Sequence, residues 1–371
     1  MKTAAAFVFA GMPLAEDEEL VDFDDLSNFR VENHAELPRV RFFDLRHLTS
    51  LNTPEDEFFT FHQTQTPRID SKTWMLRVDG FVEKARQFTL DQIRQRADKR
   101  DLAVTIECSG NVAAGAANGM VSSGVWTGVG LSSLLKECGL KPETREVVFF
   151  GADLERERPD AVEIPHGRSV YLQDALDPNA MLAFALNGKP LGPDRGFPLR
   201  VIVPGWYGMT HIKWLSRIMA LDRRFEGIHM SRNYHTLREG DLAIETSISR
   251  TRLKSVVARV TRKRDAAGRF AYRIAGAAWG GPSPLKSVEV STDGTAWRPA
   301  KLVESGGPFA WALWTLDWPD VRPGGHTIVS RAIDVAGSVQ PTGAEWKQSV
   351  KTLREDNSQW LRRLTVKGGG R

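Results

Sequence analysis

The chain has 371 residues, of which 41% are hydrophobic and 26% charged. That balance excludes a disordered polymer and gives more apolar material than one ordinary core holds, so two domains are expected. Fifty basic against 46 acidic side chains leave a formal charge of +4, too slight an excess to mark a nucleic-acid binder; two cysteines exclude a disulfide framework.

Residues 1–15 hold a short apolar stretch with a single basic residue and no small-x-small cleavage site. A cytoplasmic address is expected, or a periplasmic one where an export signal has been removed. No run approaches the ~20 apolar residues needed to cross a bilayer, so no membrane partner is expected. Residues 16–25 read as an acidic entry segment and 39–51 as a short strand and turn. Residues 74–80 follow as a strand, 89–96 as a helix, and 103–107 as the strand leading into Cys108. Leu131, Leu134, Leu135 and Cys138 share one helical face and Gly139 suits a C-terminal cap, which predicts a helix over 131–138 with Cys138 in its core. Residues 147–150 and 199–203 are apolar strands, the second stopped by Pro204 and Gly205. Beyond about Leu253 the texture changes to short β-type runs (256–260, 270–274, 288–291, 326–331), with a tight turn at 291–295. The expected fold is α+β: a mixed α/β domain over residues 1–250, then an immunoglobulin-like β-sandwich over 251–371 that packs or dimerises rather than catalyses.

Chemistry concentrates at Cys108, where an apolar strand ends abruptly in Ser109-Gly-Asn111. An isolated cysteine is most often a buried structural thiol, but three polar-turn residues are out of place beside a core plug. A second concentration is Gly192-Pro-Asp-Arg-Gly-Phe-Pro-Leu-Arg200, two guanidiniums about a rigid turn, followed by Gly205-Trp-Tyr-Gly-Met-Thr-His-Ile-Lys213. Fixed cations and open backbone N–H groups are what a phosphate or pyrophosphate requires. Taken singly, Arg195, Arg200, His211 and Lys213 read as ordinary polar residues; together they point to an anionic ligand. Trp206 is expected at the mouth of that pocket.

The ordered set Thr105-Ile-Glu-Cys-Ser-Gly-Asn111, Gly124-Val-Trp-Thr-Gly128, Asn187-Gly-Lys-Pro-Leu191, Gly196-Phe-Pro-Leu-Arg200 and Val203-Pro-Gly-Trp-Tyr-Gly-Met-Thr-His-Ile-Lys-Trp214 resembles the molybdopterin-binding core of the sulfite oxidase family. Ala278-Trp-Gly-Gly281, residues 288–297 and residues 309–314 resemble its C-terminal dimerisation domain. The resemblance implies a mononuclear molybdenum–molybdopterin enzyme in which Cys108 is the one protein sulfur on the metal. It implies that His62, Gln63, Arg195, Arg200, Gly208, Met209, His211 and Lys213 hold the pterin and its phosphate, and that Tyr234 stands in the active site. His62 and Gln63 occupy the place of an Asn-His pair in the family. A homodimer through the C-terminal domain is implied as well.

Departures bear on the substrate. Arginines that surround sulfite in the family would precede His62, follow Asn111 and come from the loop after Gly281, where this chain has Phe61, Val112 and Pro282-Ser-Pro284. Arg68 and Arg232 are candidates for replacement charge. With no C-x-x-C-H attachment and no Gly-rich dinucleotide fingerprint, no haem is expected, and electrons leave to a separate acceptor protein or to oxygen. The expected reaction is oxygen-atom transfer on a small substrate, sulfite or a related sulfur compound; reduction of a sulfoxide at the same site is the alternative. From another class, a cysteine hydrolase would pair Cys108 with His166 or His211, and a non-catalytic scaffold would use only the sandwich.

Overall fold

The computed structural model describes residues 12–26, 40–112, 118–239, 242–264, 268–319, 321–352 and 354–367. Most of the signal-like stretch at the start lies outside these residues, as does the terminal triple glycine. Among the described residues, no helix is long and apolar enough to cross a membrane.

Two five-stranded sheets build the first half. One runs Lys189–Pro190, Met181–Leu186, Val121–Gly130, Arg100–Glu107, with Arg200–Ile202 also paired to Met181–Leu186; the other runs Arg86–Thr89, Met75–Gly80, Leu215–Leu221, Glu146–Glu155, Ile164–Tyr171. Met75–Gly80 and Leu215–Leu221 pair in parallel, and their neighbours are antiparallel. Between the sheets lies a core of Leu76, Val78, Val147, Phe149, Leu182, Val201 and Ile218. The helix Leu131–Cys138 adds its predicted face to that core, with Leu131, Leu134, Leu135 and Cys138 all buried. It ends on Gly139 at φ +70, the left-handed position a residue without Cβ takes at least cost. Thr89 and Gln92 form a capping box that starts Leu90–Arg94.

Helix is scarcer than an α/β reading implies. Among the described residues the α-helices are single turns or little more, and Leu131–Cys138, at eight residues, is the longest. Antiparallel strands need only tight connections, not helical crossovers, so loops and 3₁₀ turns take their place.

In the second half, Glu19–Val21, Lys254–Arg264, Phe270–Trp279, Ala312–Trp318 and Lys301–Ser305 form one antiparallel sheet, and Arg298–Pro299, Leu285–Ser291, Gly324–Asp334 and Arg362–Val366 the other. Val257, Val260, Ile274 and Trp314 from the first sheet pack against Val288, Val290, Ile328 and Leu364 from the second, which makes a sandwich. The predicted turn at 291–295 is present, with Asp293 accepting the N–H groups of Thr295 and Ala296. Glu19–Val21 pairs with Thr261 and its neighbours, so this early strand sits on the sandwich and not with the rest of residues 1–250. The acidic segment around it supplies Asp25, which takes Arg362 Nε at 3.0 Å.

Candidate active site

Cys108 leaves the strand Arg100–Glu107 where its ladder with Val121–Gly130 ends. Its N–H donates to the Met120 carbonyl at 2.9 Å, and its own carbonyl accepts from Asn111 at 3.0 Å. Successive strand residues face opposite sides, so Glu107 points away from the thiol, into the junction of the two halves. There it accepts from Asn111 Nδ2 (3.0 Å), Lys254 Nζ (3.1 Å) and Trp279 Nε1 (2.9 Å). Asn111 takes the Met120 N–H at 2.7 Å, and Glu355 donates its N–H to the Ser109 carbonyl at 2.8 Å. The polar turn is therefore fixed from both halves and leaves the Cys108 side chain only part-buried. Burial raises the thiol's pKa and the Glu107 charge adds to it, against the Gly110 N–H and the Arg354 guanidinium. On its own the chain presents a thiol here, not an activated thiolate.

That thiol opens on a cleft whose empty space, counted with its open mouth, is about 820 Å³. His62, Gln63, Cys108, Arg195, Arg200, Gly208, Met209, His211, Lys213 and Tyr234 all line it. The turn Gly208–Thr210 lies so close to the cysteine strand that a Cβ on Gly208 would stand 3.2 Å from the Glu107 carbonyl. Gly196, at φ +100, lets the arginine loop rest on Lys213, whose Cα would be 3.0 Å from an added Cβ. These two glycines bring cations and thiol into one space.

The cations do different work. Arg195 spends its fork on the Glu55, Phe58 and Phe59 carbonyls and the Thr60 hydroxyl, and so holds the loop that carries Phe61 and His62. Arg200 donates to the Arg195 and His211 carbonyls, stacks 4.8 Å over Trp126, and keeps a buried Nε without a partner. Burial, with Arg195 beside it, lowers its pKa to about 9. Burial likewise pushes Lys213 well below the usual lysine value, and Arg200 and Arg195 act in the same direction. Lys213 Nζ lies 2.9 Å from His62 Nδ1. His211 accepts from the Val203 N–H at Nδ1 and donates to the Trp206 carbonyl through Nε2; burial and Arg200 lower it to about 3. With both nitrogens committed, His211 is a neutral brace for this loop. Two buried arginines and the half-buried Lys213 repel one another, and with too few carboxylates among them they form a site that an anion would relieve.

Tyr234 faces this space with its hydroxyl 2.9 Å from Gln63 Nε2. Burial raises the phenol's pKa, as does the nearby Cys108. Above the ring, at 4.6 Å, stands the guanidinium of Arg354, which is half-buried and makes no hydrogen bond or ion pair with any described residue. It is close enough to Gly110 that an added Cβ there would lie 4.0 Å from an Arg354 Nη. Nothing near Arg354 in the sequence signals this position: it sits in a C-terminal segment with no motif, almost 250 residues beyond the cysteine. One arginine thus stands near the thiol, and not from the places expected. Arg232 is paired with Glu157 at 3.1 Å. Trp206 is buried in the core beneath the loop, with Arg250 5.7 Å over its ring, and is not at the cleft mouth. Neither histidine named for a hydrolase hydrogen-bonds the sulfur: His211 is spent on backbone, and His166 turns Nδ1 to Glu155 at 3.1 Å.

The oxidoreductase molybdopterin-binding domain model matches residues 63–229, and the Mo-co oxidoreductase dimerisation domain model matches residues 241–365. The mitochondrial sulfite oxidase of Drosophila melanogaster is 32% identical over 330 residues, 78% of this chain and 55% of that protein. The chain belongs to the sulfite oxidase family of molybdopterin oxidoreductases. Sulfite oxidase of Gallus gallus is 29% identical over 84% of this chain and 71% of its own length. An inducible NADH nitrate reductase of Glycine max is 27% identical over 84% of this chain and 39% of its length. The chain therefore spans about half the length of several curated relatives. Among solved structures, the sulfane dehydrogenase SoxCD of Paracoccus pantotrophus superposes with a TM-score of 0.77 at 25% identity, covering 94% of this chain and 93% of that one. The cleft suits the family's cofactor: the orphaned Arg200 Nε and the uncompensated Lys213 want an anion, and a sulfur donor stands in the same cleft.

Proposed function

We propose that this chain is a mononuclear molybdenum oxidoreductase acting by oxygen-atom transfer on a small sulfur oxoanion, with Cys108 as the protein ligand to the metal. The observation that carries this reading is the convergence of the Cys108 thiol, the Arg200–Lys213 cation pair and Tyr234 in one cleft. When bound, the molybdenum–pterin group supplies an oxo-metal centre that exchanges an oxygen atom and two electrons. Arg200, Lys213 and the open backbone of Gly208 and Met209 hold its phosphate, Arg195 and His211 shape the loops that present them, and His62 and Gln63 close the far side. Tyr234 keeps a proton on its phenol, and Arg354 binds the substrate's charge. A single unpaired guanidinium over Tyr234, with the exposed Phe61 and Val112 standing at places expected of further arginines, suits a single anionic end with an apolar or sulfur-rich remainder better than a compact dianion. Electrons pass to a separate acceptor, and the sandwich, of immunoglobulin-like type in this reading, joins two copies into a homodimer.

Metal analysis with pterin fluorescence after acid oxidation tests the reading directly. Stoichiometric molybdenum, pterin retained but turnover lost in Cys108→Ser, and activity on a panel of sulfite, thiosulfate-type compounds and sulfoxides with artificial acceptors are the expected results. Metal-free protein with thiol-dependent ester cleavage would replace this proposal with a hydrolase.

A further inference from the structure

One cluster that the cofactor does not need lies in the wall between the cleft and the outside. Glu155 ends the strand Glu146–Glu155, His166 comes from Ile164–Tyr171 beside it, and His229 from the short helix Ile228–Ser231. Glu155 Oε2 lies 3.1 Å from His166 Nδ1 and 2.6 Å from His229 Nε2, and the two imidazole rings lie 4.5 Å apart at a tilt of 47°. An ionised carboxylate only accepts, so both nitrogens carry hydrogen. His229 is buried, with Nδ1 unpartnered; the neutral Nε2–H form leaves only a lone pair there, whereas a metal on Nε2 would strand a buried N–H. His166, tied through Nδ1, is left with Nε2 for the cleft whose wall it forms. On the other side, Glu155 and His229 line a separate surface recess with Arg156, Glu157 and Asn233. The His229 ring also lies 5.4 Å from that of Tyr234.

We infer that His166, oriented by Glu155 and backed by His229, is the proton acceptor of the cleft. The inference rests on the oxidative reading above. When water supplies the oxygen, substrate plus water gives oxygenated product, two electrons and two protons; the electrons go to the external acceptor. His166 Nε2 takes the two protons in turn, the imidazolium charge being offset by Glu155 each time, and each proton returns to solvent through the open mouth of the cleft before the next is taken. Among the described residues, the other charged or titratable groups facing this wall are Asp153 (held by Thr64 at 2.6 Å), Cys108, Tyr234, His62 and Lys213 on the cleft side, Arg168, which donates to the His229 carbonyl, and Arg156 and Glu157 on the recess side. Glu155, lowered to about 2 against its own burial by the two imidazoles, stays ionised throughout the working range.

Ring nitrogen chemical shifts in cofactor-free protein read the geometry without turnover: Nδ1–H on His166 and Nε2–H on His229 are expected, with the His166 preference lost in Glu155→Gln. In the molybdenum-loaded enzyme, His166→Ala should lose 10- to 1,000-fold in turnover at unchanged molybdenum content, with a shifted pH profile, and free imidazole should restore at least tenfold; His166→Phe should resist rescue. The opposite tautomers, an unaltered pH profile in His166→Ala, or a stoichiometric divalent ion bound by the trio and lost in Glu155→Gln would overturn the inference. Absence of molybdenum from the wild-type protein would instead sink the cofactor reading, a result visible before any variant is made.

Discussion

Replacing Arg354 by methionine isolates the charge that stands over Tyr234 near the thiol. Methionine preserves an apolar stem over the Tyr234 ring, where the guanidinium now sits at 4.6 Å, so what is lost is the positive charge and its donors. At a half-buried position, an effective dielectric of about 20 gives about 4 kcal/mol for unit charges about 4 Å apart. Desolvation of both ions offsets part of this, and a charge-assisted hydrogen bond retains roughly 1.5–3 kcal/mol. That corresponds to roughly a 10- to 150-fold fall in kcat/KM for an anionic substrate. A neutral sulfoxide, assayed in the reductive direction, should change less than about threefold, and Arg354→Lys should recover part of the anionic activity. Because Arg354 makes no ion pair with a described residue, the variant should unfold within about 0.5 kcal/mol of the wild type in urea. Steady-state kinetics with an artificial acceptor at two ionic strengths supplies the readout. Equal losses on anionic and neutral substrates would refute the assignment, since a charge that binds substrate must discriminate by substrate charge.

Lys254→Met leaves Glu107 buried without its 3.1 Å partner and should cost about 3–5 kcal/mol in urea unfolding, with Glu107→Gln/Lys254→Met recovering most of it; a loss below about 1 kcal/mol would show the pair to be incidental. His211, lowered from 6.5 to about 3, binds its proton only when unfolded between those values. Stability is then complete above pH 6.5 and falls on acidification toward pH 3, by about 1.4 kcal/mol per pH unit for this one proton; His211→Asn should flatten that limb. Phosphate or pyrophosphate binding to cofactor-free protein at pH 9 should take up protons at Arg200, which titrates at about 9, and at Lys213, which titrates well below its usual value. Calorimetry in buffers of different ionisation enthalpy measures that uptake, and Lys213→Met should reduce it.

What the sequence makes legible is what local pattern encodes. The face shared by Leu131, Leu134, Leu135 and Cys138 needs only a 3.6-residue period and a glycine cap, and the helix is found over those residues. The cleft is legible for a related reason: Arg195, Arg200, His211 and Lys213 fall within twenty residues, and Ser109-Gly-Asn111 announces a turn. Their separate tasks are not legible, because His211 and Arg195 differ from Arg200 only in which backbone carbonyls come within reach after folding. Arg354 and the trio of Glu155, His166 and His229 are invisible for a stronger reason. Each depends on distant segments meeting, and a lone arginine or histidine has no spacing to betray it. The scarcity of helix also escapes sequence reading, since short apolar runs fit strand and helix alike.

The sandwich is more than a dimer module, because the cysteine turn cannot be held by its own half alone. Ser109 accepts from Glu355, Glu107 accepts from Lys254 and Trp279, Lys254 also donates to the Asp356 carbonyl at 3.0 Å, and Thr105 gives its N–H to the Phe309 carbonyl. Four groups of the C-terminal half thus hold the residues on either side of Cys108, with Asp356 behind Lys254, and the same half carries Arg354 over Tyr234. In the metal-ligand role proposed for Cys108, the sulfur would have to be held to within about 0.5 Å. Any change that loosens the junction of the halves therefore displaces the Cys108 sulfur and the Arg354 guanidinium together. Conversely, a cofactor that binds only the docked arrangement stabilises the junction by mass action. Cofactor loading and domain docking then become one equilibrium, which explains why a fully buried Lys254–Glu107 pair, a poor source of stability in itself, stands at this joint: it is satisfied only when the two halves meet in the register that aims Cys108 into the cleft.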